Sequence, residues 1–234
     1  MGAGVGPIGQ ALENVVFRID ALNKNSYSGS GNTINSLVKD DKLTTAGVTF
    51  ISSGGESVFV FGGAGFVTSG KNTGVSGTQS RTMAVWVKFG QKSIQGVMCV
   101  GANGSGTGMA LETSSTVWNL GRGNTGTATT VTYNLHQWYY AVYVSDFVAG
   151  TTHNIRLYIN GGLAHTAIAT GVNLTDSSLK IGCNNGGVGV SGQIARVNFY
   201  NKSLNLKEIE KNYQNYKKRF GLSSWDKKVG QISL

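Results

Sequence analysis

The 234-residue sequence contains little cysteine, little proline and few charged residues. Its 2 cysteines are too few for a disulfide framework, and no Cys/His spacing typical of a zinc site occurs. The single proline, Pro7, rules out a proline-rich linker. No stretch approaches the ~18 consecutive apolar residues of a membrane span, so we expect no membrane partner. The two thiols, Cys99 and Cys183, each lie in an apolar stretch and are expected to be buried and free.

The first residues also lack the basic start and apolar core of a signal peptide. We therefore expect the protein to be made in the cytoplasm. Glycines at four positions within residues 1–12 favour a flexible N-terminal arm, because glycine disfavours any regular element.

What the sequence has instead is glycine and alternating apolar residues. It contains 35 glycines and 40% hydrophobic residues, which suits many short strands joined by tight turns around a sizeable core. Residues 15–19 alternate apolar and polar side chains, and residues 82–89 are apolar on both faces, as expected of a central strand. Asn160 and Gly161 separate two further apolar runs and predict a hairpin. The glycine-rich segments 101–106 and 121–124 are interpreted as turns.

The pattern changes near the C-terminus from a period of two to a period of three or four. After a strand over residues 193–200, Asn205 followed by Glu208 predicts the start of a helix with a capping box. Apolar side chains then recur at helical spacing and predict one buried stripe with a lysine-rich outer face: Leu206, Ile209, Tyr213, Tyr216 and Phe220.

Four segments occur in an order that resembles a known family. They are residues 16–21 (VFRIDA), 83–88 (MAVWVK), 138–142 (WYYAV) and the strand-to-helix segment 194–213. Together they are similar to laminin-G-like, concanavalin-type lectin/glucanase domains over residues 14–221. The resemblance implies an all-β, two-sheet antiparallel jelly-roll sandwich with a short C-terminal helix. We expect one domain over residues 13–221, an arm of residues 1–12 and a tail of residues 222–234.

The ending Lys218-Arg219-Phe220-Gly221 is similar to the version of this domain found in virion proteins of tailed bacteriophages. That resemblance implies a non-enzymatic structural subunit, either a head decoration or a tail appendage. Its partners would be other virion proteins and further copies of itself. The alternative is a carbohydrate-binding adhesion module for host or environmental glycans, and a third interpretation is a glucanase.

Neither the carboxylates nor the histidines form a recognisable catalytic pattern. Glycoside hydrolysis needs two carboxyl groups across a cleft, and the glucanase branch of the resembled family places them in a Glu-x-Asp-x-x-Glu pattern. This sequence has no such pattern among its 11 acidic residues. The histidines are widely spaced and are interpreted as ordinary surface or loop residues: His136, His153 and His165. We therefore expect no enzyme and no cofactor.

Candidate binding residues follow from the side chains that sugars and metals require. A sugar needs an aromatic platform with amide and other polar donors nearby, and the candidates are Trp118, Arg122, Asn124, Asn184 and Asn185. Turn asparagines and a core tryptophan are the alternative interpretation. The resemblance also implies that calcium is possible, with Asp146 as the candidate ligand; a solvated acid is the alternative.

Positive charge is concentrated near the C-terminus. The formal net charge is +9, and residues 202–228 contain eight basic against three acidic residues. The lysine-rich face is interpreted either as a solvated surface or as a contact with an acidic partner, with the candidates Lys211, Lys217, Lys218 and Arg219. No nucleic-acid-binding module accompanies the charge, so no nucleic-acid partner is expected.

Overall fold

The computed structural model describes residues 14–53 and 56–222. It contains fourteen strands, one α-helix and one short 3-10 helix in that part of the chain. The strands are β1 Val15–Asp20, β2 Thr33–Asn35, β3 Lys42–Ser53, β4 Glu56–Asn72, β5 Arg81–Phe89, β6 Gln95–Gly101, β7 Gly108–Ser114, β8 Val117–Gly121, β9 Gly126–Thr132, β10 Trp138–Ala149, β11 Thr152–Ile159, β12 Gly162–Ala169, β13 Ser178–Ile181 and β14 Ser191–Tyr200. The helices are α1 Leu206–Tyr216 and the 3-10 helix Lys217–Phe220.

The strands form two layers. The first layer has the order β12-β11-β10-β5-β14-β1, and the second has the order β3-β4-β13-β6-β7-β8-β9, with β2 on β3. All of the pairings are antiparallel. The antiparallel sandwich that the resemblance implied is therefore present, with the short C-terminal helix after the last strand.

The two layers are not separate sheets, and in this respect the prediction needs a correction. The first part of β4 pairs with β14 and its later part pairs with β13, so one strand belongs to both layers. The ends of the series, β9 and β12, also contact each other. The result is a nearly closed, barrel-like sheet. β4 is continuous because its glycines allow irregular pairing, as at Gly65, where a Cβ would lie 2.2 Å from the carbonyl oxygen of Gly47.

Several local predictions are confirmed. β5 is buried on both faces at every position except Lys88. Asn160 and Gly161 adopt φ angles of 52° and 85° and join β11 to β12, as an Asn-Gly hairpin turn requires. Both glycine-rich segments are turns between strands. β2, β3, β4, β7, β8 and β9 were not predicted above.

The C-terminal helix covers the outer face of the first layer. The side chain of Asn205 accepts a hydrogen bond from the backbone N–H of Glu208, and the Glu208 side chain accepts one from the backbone N–H of Asn205, which confirms the capping box. Ile209, Tyr213 and Phe220 are buried against this layer, whereas Leu206 is exposed. The predicted stripe is therefore correct except at its first residue.

The proposed arm, residues 1–12, lies outside the described residues, as does the predicted tail after Leu222. No helix in the described part of the chain is both long and apolar enough to cross a bilayer.

Candidate functional site

The outer face of the second layer carries small and polar side chains. Along β7 and β8, Leu111, Trp118 and Leu120 point into the core, and the residues between them point outward. The outward residues include Ala110, Glu112, Asn119 and Gly121. An acid and an amide thus occupy adjacent strands on one face, at opposed positions of the register.

Glu112 is the centre of a polar group that we call the Glu112 cluster, made of Glu112, Asn119 and Asn184. The Nδ2 of Asn119 donates to Oε1 of Glu112 at 2.6 Å, and the Nδ2 of Asn184 donates to Oε2 at 2.9 Å. The Oδ1 of Asn184 in turn accepts from the backbone N–H of Val188 at 2.9 Å. One strand residue and one loop residue therefore fix the carboxylate from both sides.

Burial raises the pKa of the Glu112 carboxyl group, and the hydrogen bonds from Asn184 and Asn119 partly oppose that rise. The net direction is upward from the ordinary value of 4.5. A half-buried carboxyl group with a raised pKa, held by two amides, is the type of group that marks a functional site.

Glycines leave room for this cluster. A Cβ on Gly121 would lie 2.9 Å from Oε1 of Glu112, and one on Gly126 would lie 2.5 Å from Nδ2 of Asn119. A larger residue at either position would displace the side chains that hold the carboxylate.

Asn185 anchors the neighbouring loop, which we call the 182–190 loop. Its Nδ2 donates to the carbonyl oxygens of Val100 at 3.0 Å and Gly101 at 3.1 Å. Its buried Oδ1 has no hydrogen-bond partner within residues 14–53 and 56–222. The structure therefore brings the two predicted asparagines, Asn184 and Asn185, to one place, with Asn184 on the carboxylate.

The other predicted sugar-binding residues are not part of this arrangement. Trp118 is 0% exposed and packs on the rings of Phe89, Tyr133 and Tyr139, so the prediction that it offers a platform to a sugar was wrong. Arg122 donates to the carbonyl oxygen of Thr170 at 3.1 Å.

Asn124 is exposed in the same β8–β9 turn that contains Arg122. The alternation of β8 explains the burial of Trp118, because its neighbour Asn119 takes the outward position.

Sequence reasoning missed both Glu112 and Asn119. The signal was present as a polar residue between two core positions on each of two successive strands. The two residues come together only because β7 and β8 are adjacent strands.

Asp146 is engaged in an ion pair. Its Oδ2 accepts from both terminal nitrogens of Arg156, each at 3.2 Å, and its Oδ1 accepts from the hydroxyl of Ser80 at 3.4 Å. The side chain is therefore not a simple solvated acid, because both of its oxygens accept hydrogen bonds from protein side chains. No group of three or more His, Cys, Asp or Glu residues that could hold a metal ion occurs among the residues described.

The predicted partner-contact residues divide into two groups. Lys211 and Lys218 are exposed, whereas Lys217 is half-buried with its ammonium 5.9 Å from the ring centre of Tyr213. Arg219 donates to Oδ1 of Asp20 at 2.7 Å and to the carbonyl oxygen of Ser57 at 3.0 Å. Arg219 therefore attaches the 3-10 helix to the sandwich, and its assignment to a partner surface was wrong.

His153 is also a correction, because it is fully buried instead of lying at the surface. Its Nδ1 and the hydroxyl of buried Ser145 are 2.9 Å apart. Burial lowers the pKa of His153. A serine and histidine enclosed in the core cannot meet a substrate, so the pair is structural.

A polar depression, which we call the Asp41 depression, lies elsewhere on the second layer. It has a volume of about 280 Å³ and is lined by Asp40, Asp41, Lys42, Gly70 and Lys71. Asp41 is buried and accepts from the backbone N–H of Gly70 at 3.0 Å. This depression offers charges of both signs and serves below as the alternative location for a ligand.

Comparison with known families decides the identity of the fold. Residues 61–210 match the Laminin_G_3 family, which belongs to the concanavalin A-like lectin/glucanases superfamily. The chain belongs to this family. The matched range begins in β4 and ends in α1, so it includes the Glu112 cluster and the 182–190 loop.

Solved structures agree on this lectin-like fold. The receptor-binding domain of botulinum neurotoxin type G is similar at a TM-score of 0.64 and 14% identity, over 86% of this chain and 51% of that one. Domain 4 of the arabinanase AbnA from Geobacillus stearothermophilus, solved with arabinotriose, has a TM-score of 0.62 and 16% identity, over 85% and 97% of the two chains. A Trypanosoma rangeli sialidase has a TM-score of 0.59 and 16% identity, over 85% and 32%.

These TM-scores, at such low sequence identity, establish a shared fold alone. The chain spans about half the length of the neurotoxin domain and nearly the whole of the arabinanase domain. A comparison with the sequences of curated proteins gave no match. Residue roles in this lectin-like domain must therefore be argued from its own geometry.

Proposed function

We propose that this chain is a non-catalytic glycan-binding domain that contacts its ligand through the Glu112 cluster. The observation that carries the proposal is a half-buried carboxylate, fixed by Asn119 and Asn184, on a face floored by alanine and glycine. The two amides pre-organise the carboxylate, as a binding site requires.

The chemistry of the cluster favours a ligand that donates hydrogen bonds. Both amide nitrogens donate to Glu112, and an ionised carboxylate has about four acceptor sites in total, so it can still accept from further donors. Sugar hydroxyl groups are donors of this kind. Hydrogen bonds to a charged acceptor are stronger than neutral ones, which supports Glu112 as the main polar contact.

The neighbours in fold support a sugar ligand. The arabinanase domain was solved with arabinotriose, and a related botulinum neurotoxin binding domain was solved with SialylT. The first comparison supports the proposal more strongly, because it covers nearly the whole of a single domain.

The absence of catalysis is part of the proposal. Hydrolysis requires a second carboxyl group at roughly 5–9.5 Å. In the described part of the chain, the side chains that hydrogen-bond to the Glu112 carboxylate are the amides of Asn119 and Asn184. Asp20 and Asp146 are instead paired with arginines of the first layer. A release assay for reducing sugar from polysaccharides that bind should therefore give no product.

The binding test is a glycan array probed with the full chain and with Glu112→Ala. Loss of one charge-assisted acceptor should weaken binding at least about tenfold. Glu210→Ala is the matched control, because Glu210 lies on the helix that covers the other layer. Binding that survives Glu112→Ala but is lost in Lys71→Ala would place the site in the Asp41 depression. No binding to any glycan would overturn the proposal.

A second proposal concerns the biological setting, namely that the domain is a structural subunit of a tailed-phage virion. It would be made in the host cytoplasm and attached to other virion proteins as a head decoration or tail appendage. The observation that favours it is the exposure of Lys207, Lys211 and Lys218 along the terminal helices, where they could meet an acidic partner. The test is detection of the chain by mass spectrometry in density-purified phage particles; particles without it would overturn this setting.

Assembly of several copies belongs to the same proposal. Size-exclusion chromatography with light scattering on the full chain and on residues 13–221 measures it directly. An oligomer that becomes a monomer on truncation would place assembly in the terminal segments, whereas a full-length monomer would overturn the oligomer.

A further inference from the structure

The two cysteines lie together beneath the second layer's outer face. Cys99, on β6, and Cys183, in the 182–190 loop, are 1% and 3% exposed and form a small buried cluster with Ala110. Cys99 is opposite Lys180 in the register of β6 and β13, and Cys183 follows three residues later. Two thiols that are 84 positions apart in sequence are thus brought into one enclosed space.

The two thiols are neighbours within this buried cluster. Their mutual interaction and burial raise the pKa of Cys99, and the same interaction lowers the pKa of Cys183. The Lys180 ammonium also lowers the pKa of Cys183, which is the slightly more exposed of the two residues. These features favour Cys183 as the attacking thiol.

The loop that carries Cys183 is exposed in its middle part. Residues 186–188 are exposed, and Gly182 and Gly187 have φ angles of 91° and 83°. The loop is held by hydrogen bonds between Asn184 and Val188, by the one from Asn184 to Glu112, and by those from Asn185 to β6. Opening of these few contacts would expose Cys183 to a small oxidant without unfolding the sandwich.

We infer that Cys99 and Cys183 are an oxidation site that closes to a disulfide in the presence of a small-molecule disulfide, cross-linking β6 to the 182–190 loop. The Cys183 thiolate attacks one sulfur of oxidised glutathione, forms a mixed disulfide and releases one glutathione thiolate. The Cys99 sulfur then attacks Cys183 Sγ and releases the second glutathione. The protein loses two protons and two electrons, and the oxidant gains both.

This cross-link would act on the candidate binding face. Asn184 and Asn185 directly follow Cys183, and they hold Glu112 and the edge of β6 respectively. A disulfide at residue 183 fixes the start of the segment that positions both amides. Oxidation of the two cysteines does not depend on the identity of the glycan, so it can be tested without any glycan.

The first experiment is mass spectrometry of the full, folded chain after incubation with oxidised glutathione. We expect a mass loss of two hydrogens, a peptide that joins Cys99 to Cys183, and reversal by dithiothreitol. Because the cross-link closes a long loop, Tm should rise by about 5–10 °C. Cys99→Ala should stop at a glutathione adduct on Cys183 and show no rise in Tm.

The outcomes separate clearly. Glutathione adducts on both cysteines of the wild type, or thiols that react only after unfolding, would overturn the inference.

Lys180→Gln tests the role of the ammonium, because its loss should slow the reaction several-fold and move the pH profile upward. Lys207→Gln, on the opposite side of the molecule, is the control and should react at the wild-type rate; equal rates for both variants would remove Lys180 from the inference.

Discussion

The two outer faces of the sandwich have opposite chemistry. The face of the first layer is aromatic and covered, because Trp86 stacks on Phe220 at 4.2 Å and on Tyr140 at 5.1 Å under the terminal helix. The face of the second layer bears Glu112 and Asn119 above glycines. Both faces belong to one continuous sheet, so the difference arises from the side chains and not from the backbone pairing.

This difference underlies our proposal that stability and recognition are located on opposite faces. Large aromatic side chains bury much apolar area and stabilise the fold, whereas burial of a carboxylate costs desolvation. The predictions below test whether changes on the first face alter stability alone, and whether changes on the second face alter binding.

The largest effect is expected from Trp86→Ala. Trp86 is 1% exposed and stacks on three rings, those of Tyr140, Tyr213 and Phe220. Its truncation should lower the free energy of unfolding by about 3–5 kcal/mol through lost contacts and a cavity. Urea unfolding followed by circular dichroism measures this. A loss below about 1 kcal/mol would mean that the helix is not held by this stack.

The next effect is expected from Asp20→Asn. Asp20 accepts from Arg196 and Arg219, each at 2.7 Å, and both of its contacts are largely buried. The substitution removes the carboxylate charge that both arginines share. It should therefore lower the free energy of unfolding by roughly 3 kcal/mol. The double variant Asp20→Asn, Arg219→Met should recover part of the loss. Additive losses in the double-mutant cycle would contradict a shared network.

The C-terminal sequence shows what a resemblance can and cannot predict. The ending that resembled phage virion proteins consists of residues that close the fold. Arg219 binds Asp20, Phe220 packs on Trp86, and Gly221 adopts a φ of 68°. These contacts explain the ending by its part in the fold. They therefore carry no information on the biological setting of the protein.

The candidate site was harder to predict for a physical reason. Strands β1, β5, β11 and β14 show clear alternation or continuous burial, and the sequence predicted them. The Glu112 cluster instead needs two adjacent strands and a loop that is 72 residues away in sequence. Only the pairing of β7 with β8 and the path of the 182–190 loop bring its members together.

Trp118 illustrates the same limit from the other side. Arg122 and Asn124 follow it closely in sequence, which suggested an exposed platform with polar donors, but the side-chain alternation of β8 turns it inward. A shift of one residue in the position of a strand exchanges its buried and exposed sets. Without the bounds of β8, sequence alone left both interpretations open.

A smaller loss of stability is expected from Asn205→Ala. The Asn205 side chain accepts from the backbone N–H of Glu208 at 3.0 Å and begins the helix that covers the first face. Loss of this cap should lower the free energy of unfolding by about 1 kcal/mol. Asn205→Ser should retain most of it. Equal stability of the alanine and serine variants would show that the helix start is fixed by packing instead.

The smallest effect on stability, and the sharpest contrast between the faces, is expected from titration of Glu112. Burial raises its folded-state pKa above the ordinary value of 4.5, so the folded protein binds the proton more tightly than the unfolded chain. Stability should therefore be greatest below pH 4.5 with respect to this group and fall as pH rises through the folded pKa. Glu112→Gln should abolish this component in pH-dependent urea unfolding.

Glycan binding should respond to the same titration in the opposite direction. The ionised carboxylate is the acceptor, so binding should strengthen as pH rises through the raised pKa and weaken below it. Isothermal titration of the wild type across this range measures the trend, and Glu112→Gln should bind weakly and independently of pH. If binding and stability changed in the same direction with pH, Glu112 would act only by holding the second layer together, and the two faces would differ in chemistry but not in role.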